Sequence, residues 1–421
     1  MNRLRFLFLF IFIAFEGIVS LARLAAADDG GWTLESAVRR MLEVAPERRA
    51  AEAEIAARAG AYREAAAWPN PTVALRIDNK LGLEDRHGGA DFTQVAVSQP
   101  LPIWRLGRER TAAAVQIEAA RSRERFELLR IEREAAGAFH RLQLAQAKRA
   151  LAEERTRLTD ASTTARDKLV RYLAPAERER LVLLGAQARQ ALSAAHAEEN
   201  RAAAEFRALL SLPGLTPIQT VPLRLPPAPP ALETLERAIE GHPQIEAARR
   251  ETEAALAGID VAVFRRFSDP ELNLFLERDF LNDARRHVAG IGVSIQVPLW
   301  GTNPGPVERA RAEALQANAR AEAVARDARS RMAQVHARIL PLREQIGRAQ
   351  TQLLAPAERM LRLTRRAFAV GEVNVLALVD ALDAYVEINA RHLDQIEEAA
   401  QAWAELHFAS GQSLLGQEVR P

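Results

Sequence analysis

The sequence predicts a mostly helical protein that carries part of a membrane β-barrel, built as two tandem repeats. Each repeat pairs a long coiled-coil helical hairpin with a β-hairpin, so one chain supplies four strands. Three observations lead there. One order of elements occurs twice, long proline-free stretches carry heptad patterning, and four short segments alternate apolar with polar or small residues.

The duplication is a repeat of a unit. Residues 46–108 run helix, Pro71, alternating segment, Gly-rich loop, alternating segment, Pro100-Leu101, Trp104 and Gly107. Residues 243–309 keep that order with Pro270, two alternating segments, Pro298-Leu299, Trp300 and Gly301. Pro46 to Pro71 is 25 residues and Pro243 to Pro270 is 27, while Pro71 to Pro100 is 29 and Pro270 to Pro298 is 28.

In chain order, Arg3, Arg5, the apolar run Phe6 to Phe15 and Ala25-Ala26-Ala27 read as a cleavable export signal over residues 1–27. The apolar run is about half of the ~20 residues that a spanning helix needs. The first repeat occupies 28–212. Within it, Arg108 to about Lys168 lacks proline, and Leu128, Ile131, Ala135, Ala138, Leu142 and Ala145 fall in heptad order. A helix of ~60 residues is on the order of 90 Å long. Pro175 marks its turn, and Ala176 to Leu210 returns. Seven prolines within 213–230 make an extended connector that cannot be helical. The second repeat, 231–413, has a helix from Val307 interrupted at Pro341 and Pro356, a turn near Gly371 and a return through Ala409; residues 414–421 are a tail. Pro341 is expected to kink its helix.

The alternating segments decide the class. Val73, Leu75 and Ile77 oppose Thr72, Ala74 and Arg76; Val95 and Val97 oppose Gln94, Ala96 and Ser98. Leu272, Leu274 and Leu276 oppose Asn273, Phe275 and Glu277; Ile291, Val293, Ile295 and Val297 oppose Gly290, Gly292, Ser294 and Gln296. Apolar outside with polar or small inside is the pattern of membrane barrel strands, although two soluble hairpins share it. Trp68, Trp104, Phe267 and Trp300 sit at the helix-facing strand ends, as an interfacial girdle would. The opposite ends, Asn79 to Asp91 and Arg278 to His287, read as polar loops. Bacterial barrels begin at about eight strands, so sister copies are required. A dimer's interior would be about filled by side chains, whereas a trimer's twelve strands leave a passage.

Composition narrows the function. Without residues 1–27 the formal charge falls from +2 to about zero, which does not point to nucleic acid. Cysteine is absent, so disulfides and thiolate chemistry are excluded. The histidines, His87, His140, His196, His242, His287, His336, His392 and His407, form no pair at metal-ligand spacing on a helix face. Neither catalysis nor a bound cofactor is expected, and with four methionines a soft-metal site is not either.

These residues together resemble the TolC family of outer-membrane efflux factors, from Leu34 to about Gly411. Trp68-Pro69-Asn70-Pro71, Ser98-Gln99-Pro100-Leu101 and Pro298 through Gly305 resemble its heavy-metal branch, the outer-membrane components of cobalt, zinc and cadmium efflux systems. The resemblance implies a homotrimer with a twelve-stranded barrel in outer-membrane lipid, continuing into a helical tunnel across the periplasm. It also implies two partners, a periplasmic adaptor and an inner-membrane pump of the resistance-nodulation-division (RND) type. The expected function is an exit duct for heavy-metal cations. The same duct for drug efflux or type I protein secretion stays open, as does an exported coiled-coil scaffold without a pore.

The resemblance also places candidate residues. Ala369-Val370-Gly371 followed by Leu378-Val379-Asp380-Ala381 resembles the family's periplasmic tip, where adaptors dock and aspartates narrow the pore. Asp380 matches the aspartate of that motif. Ala377 stands where some drug exporters have another, and Asp383 is a partial substitute. A ring of Asp380 side chains would attract cations and respond to pH, while a solvated helix face is the plainer reading. The first-repeat turn, Val170-Arg171-Tyr172-Leu173-Ala174-Pro175, lacks the glycine. Residues 167–177 and 367–376 are the expected docking tips, with Arg171, Tyr172, Pro175, Val370 and Gly371 as their contact residues.

Overall fold

The computed structural model describes residues 31–78, 92–164, 174–214, 216–281, 284–297 and 304–416. Its helices are α1 Leu34–Val44, α2 Pro46–Ala66, α3 Leu106–Thr164, α4 Pro175–Leu209, α5 Leu232–Ala238, α6 Pro243–Phe264, α7 Pro304–Ala349, α8 Ala355–Val370 and α9 Val375–Ser410. Its strands are β1 Thr72–Asp78, β2 Phe92–Pro100, β3 Glu271–Leu281 and β4 Ala284–Ser294. The chain divides into two compact units, and each draws on both repeats.

The strand-bearing unit comprises residues 46–128 and 236–330. Its sheet is antiparallel in the order β1-β2-β3-β4, so the hairpin of one repeat bonds directly to that of the other. The register puts Val73, Val97, Leu274 and Ile291 in one row across the strands, and Leu75, Val95, Leu276 and Ala289 in the next. Opposed residues share a face. The other face carries Ser98, whose hydroxyl lies 2.5 Å from Asn273 Oδ1, and Phe275, whose ring lies over Gly290. A Cβ at Gly290 would sit 2.2 Å from Phe275 Cζ, so any larger residue there would push the ring aside. The second hairpin departs from expectation. Pairing continues to Leu281↔Ala284, through most of the stretch read as a polar loop, while β4 stops at Ser294 and leaves Ile295 and Val297 outside it. Strand pairing is a backbone property, and polar side chains tolerate it where both faces reach water. The expected loop 79–91 lies outside the described residues.

Helices α2, α3, α6 and α7 complete this unit. His242 caps α6 by accepting from the Gln244 N–H (3.1 Å), with Pro243 in the first turn. Arg123 bridges Glu54 of α2 (3.0 Å) and Glu251 of α6 (2.6 Å), which ties helices of the two repeats side by side.

The second unit comprises residues 31–45, 129–235 and 331–416 among those described. Ile131, Ala135, Ala138, Leu142 and Ala145 of α3 are all buried, as the heptad reading required. Phe139 is buried too, against Phe206 of α4. The connector is non-helical throughout its described residues. It pairs with Trp32 in a parallel bridge, Gln143 and Gln146 donate to its Val221 and Ile218 carbonyls, and Gln146 Oε1 accepts from Thr220. Proline-rich backbone cannot satisfy itself, so the glutamines satisfy it.

Of the two interruptions expected at prolines, the one at Pro341 needs correcting and the one near Pro356 is present. The helix α7 runs unbroken through Pro341, with Ile339 and Leu342 buried on either side of it. At Pro356 the strain is relieved upstream by a π turn, Gln350–Leu354, in which the Ala355 N–H reaches back to the Gln350 carbonyl. The wider turn moves backbone away from the proline ring.

Buried Glu132 of α3 accepts from the Leu414 N–H (2.7 Å) and the Ser413 hydroxyl (2.8 Å), which holds the segment after α9. Burial pushes its carboxyl above the ordinary glutamate range, partly opposed by those two donors. A carboxyl raised by folding stabilises fully below its unfolded pKa, and that stability is lost as pH rises through the folded value. Glu132→Gln keeps both contacts without the charge. In urea titrations from acid to alkaline pH, the native chain is expected to lose stability relative to this variant as pH rises; parallel curves would show that the carboxylate is not desolvated.

Candidate functional site

Two surfaces carry the features that the sequence singled out. The first is the apolar face of the sheet. Val73 is 69% exposed, Leu276 66% and Ile291 71%, and Leu75, Val95, Val97, Leu274 and Val293 are also exposed. An apolar lattice spanning four strands exceeds the patches that isolated soluble chains show to water. Among the described residues, β1 and β4 have no partner on their outer edges. Where the strands meet the helices, the Trp104 and Phe267 rings lie 6.0 Å apart. Arg105 of the same turn holds Asp269 (2.7 Å) and Glu109 (2.8 Å), while Trp68 stands exposed. Trp300 lies outside the described residues. Aromatic rings beside ion pairs suit a boundary between an apolar medium and water.

The second surface is the turn between α8 and α9. Gly371 ends α8 at φ +85°, the left-handed conformation that favours glycine. Its N–H bonds the Phe368 carbonyl and the Glu372 N–H bonds that of Ala367. Three residues on, Asn374 opens α9 by accepting from the Ala377 N–H (3.0 Å). Both devices are short-range, and the glycine was legible in the sequence; the asparagine cap was missed, although Asn before an apolar helical run is a recognised start signal.

Beneath this turn Leu158 of α3, Leu181 of α4, Leu361 and Phe368 of α8, and Val375, Leu378 and Leu382 of α9 form one core. Four helices therefore converge on the core beneath the α8–α9 turn. Burial of Leu378, Ala381 and Leu382 leaves Asp380 on the exposed side of α9, with no ion pair among the described residues. Asp383 lies 2.7 Å from Arg155 of α3, a side chain mostly buried, which neutralises its charge. Sequence spacing could not reveal that partner. A groove of about 420 Å³ beside the core is lined by Glu154, Arg362, Arg365 and Tyr385 among others. Burial, then Glu154 and Glu358, push the Tyr385 hydroxyl above its ordinary pKa, so it stays protonated. Of the other turn, Arg171 and Tyr172 lie outside the described residues. Pro175 begins α4, where Glu177 accepts from the Ala174 N–H. Among the described residues no cluster of three or more His, Asp or Glu is placed to hold a metal ion, and no helix is long and apolar enough to cross a membrane.

The model of the outer membrane efflux protein family matches residues 234–412, a stretch that holds β3, β4 and the whole α8–α9 tip. Residues 234–412 are thus similar to an outer membrane efflux protein domain. A curated relative, the cobalt-zinc-cadmium resistance protein CzcC of Cupriavidus metallidurans, is 26% identical over 176 residues, 42% of this chain and 42% of that protein. The aligned part thus spans less than half of that relative. Among solved structures, CusC has a TM-score of 0.72 at 19% identity and covers 92% of this chain and 95% of its own. The open state of the Neisseria gonorrhoeae MtrE outer membrane channel has 0.74 at 17% identity, covering 92% and 91%. At such identities the likeness is one of fold, and it extends to both repeats. Gly371, Asn374, Asp380 and Asp383 all lie inside the matched stretch.

The cap and the glycine make separable contributions to the tip. Asn374→Ala is expected to lower stability by about 1 kcal/mol through the lost cap, and Gly371→Ala by roughly 1–2 kcal/mol through the left-handed backbone. Amide hydrogen exchange should rise at residues 371–378 in both variants, and unchanged protection there would show that neither device holds the turn.

Proposed function

We propose that this chain is one subunit of a homotrimeric exit duct in the outer membrane, with a helical tunnel in the periplasm, which works with a periplasmic adaptor and an inner-membrane RND pump. The observation that carries this reading is the exposed apolar lattice of the sheet, bounded by two unpaired strand edges. Three copies would supply twelve strands, and closure would leave no edge in lipid. Each chain then contributes tandem repeats, 28–212 and 231–413, as the two hairpins suggest. The duct is passive and performs no catalysis; the pump supplies the energy.

Heavy-metal cations are the proposed cargo. The support is the sequence match to a cobalt-zinc-cadmium resistance protein, since the fold likeness is equal for CusC and for MtrE. At the tip, Asp380 is the proposed constriction residue. Three such carboxylates near an axis attract cations and resist ionising together, whereas Asp383 is already neutralised by Arg155. The turn at Val370 and Gly371, and the first-repeat turn up to Pro175, are the proposed adaptor-docking tips.

In a strain lacking the native gene, this chain is expected to restore resistance to zinc, cobalt or cadmium more than to dyes or detergents. Asp380→Asn should reduce cation selectivity in planar bilayers, and Gly371→Trp should abolish resistance with oligomer yield unchanged. Resistance restored only to dyes would reassign the cargo, and unaltered selectivity in Asp380→Asn would remove the carboxylate ring.

A further inference from the structure

The apolar face of the sheet ends on two bases. Beyond the rows through Val73 and Leu75, at the end away from the helices, the next row on the same face is Ile77, Thr93, Arg278 and His287. Arg278 of β3 and His287 of β4 are directly opposed and both are exposed. Opposed side chains of an antiparallel pair stand about 5 Å apart at Cβ, so one ligand can reach both. Among the described residues neither base forms an ion pair, and no acid shares their face. The neighbouring acids belong to the opposite face, where Arg76 holds Asp78 (2.9 Å) and the Gln94 amide lies 3.4 Å from Glu277.

Position along the strand sets the surroundings of this row. The strands meet the helices at their other ends, beside the Trp104 and Phe267 rings. From Glu271 to Arg278 an antiparallel strand rises about 24 Å, and a tilt of about 40° turns that into roughly 18 Å of depth, most of an apolar band ~25 Å tall. With the aromatic pair at one boundary of that band, Arg278 and His287 stand at the other. A base on a lipid-facing surface is strongly unfavourable at mid-depth and tolerated at the boundary, where head groups begin. The guanidinium fork is suited there to two oxygens of one phosphate. Two bases side by side also match the charge of a phosphomonoester, about −1.5 to −2 at neutral pH, better than the single charge of a diester.

We propose that Arg278 and His287 form a head-group site for an outer-leaflet lipid that bears a phosphomonoester, with its acyl chains lying along the rows through Leu276 and Leu274. Arg278 grips the phosphate through two donors and His287 adds a third from the adjacent strand. The first-repeat members of the row, Ile77 and Thr93, carry no charge, so each chain has one such site, on its second hairpin. The inference rests on the proposed duct and adds to it a selected lipid at the outer margin of the sheet.

The full-length chain in detergent would be titrated with phosphatidic acid, a phosphomonoester lipid, with phosphatidylglycerol, a phosphodiester, and with phosphatidylcholine, which has no net charge. Native mass spectrometry reads both the copy number and the lipids retained. Phosphatidic acid is expected to bind about tenfold or more tighter than phosphatidylcholine, as two charge-assisted hydrogen bonds allow. The double variant Arg278→Gln with His287→Gln is expected to lose that preference while keeping its oligomer mass and its phosphatidylcholine binding, and Arg278→Lys, which keeps the charge without the fork, to fall between. Phosphatidylglycerol bound as tightly as phosphatidic acid would overturn the monoester. Inorganic phosphate that displaces the lipid completely at equal concentration would overturn the lipid as occupant. An intact oligomer whose native and doubly substituted forms hold all three lipids alike would overturn the site and leave the duct standing, whereas a monomer that enters no bilayer would overturn the duct.

Discussion

A β-sheet with one apolar face and two open edges cannot rest in hydrocarbon. Every backbone N–H and C=O along an open edge would lie unpaired, at several kcal/mol each. Water is no better a medium for the apolar face, because the rows through Val73 and Leu75 continue across all four strands. The proposed duct satisfies both constraints, with lipid against the lattice and the next copy's strand against each edge. The direct pairing of β2 with β3 already solves this problem within the chain, since it joins the hairpins of the two repeats through backbone bonds.

The helical part answers a different need, which is alignment. Its cross-helix ion pairs, such as Lys148 with Asp394 (2.6 Å) and Arg141 with Glu205 (2.5 Å), are mostly open to water, whereas Arg155 beside Asp383 (2.7 Å) is largely covered. Exposed pairs contribute about 0–1 kcal/mol each, so their sum is modest. Register is the more useful product, because bases on α3 face acids on α9 and a slip of one helix past the other would oppose like charges or leave them alone. Cohesion comes from the alanine- and leucine-rich seams, whose small side chains let helices approach closely.

Much of this was legible in the sequence wherever the signal is local or periodic. The strand faces follow from alternation at Leu272 to Glu277, the α3 core from heptads at Ile131 to Ala145, and the left-handed turn from Gly371. Signals that depend on a distant partner stayed hidden. Arg155 neutralises Asp383 from far along the chain, Glu132 captures the backbone of Leu414, and Gln143 and Gln146 satisfy the connector; no spacing rule reaches across such separations. Two misreadings came from treating side-chain character as a boundary. Polar residues beyond Leu276 looked like a loop although their backbone continues to pair, and Pro341 looked like a break although the helix runs through it; near Pro356 the expected interruption takes the form of a π turn.

The central claim is that alternate residues of the strands face lipid because neighbouring copies close the sheet. It is tested most directly by nitroxide labels placed singly at Asn273, Leu274, Phe275 and Leu276 of the chain reconstituted in bilayers, a cysteine-free background giving one label per site. The account requires accessibility to oxygen dissolved in lipid at Leu274 and Leu276, and its loss at Asn273 and Phe275. Equal accessibility to a water-soluble reagent at all four positions would contradict it.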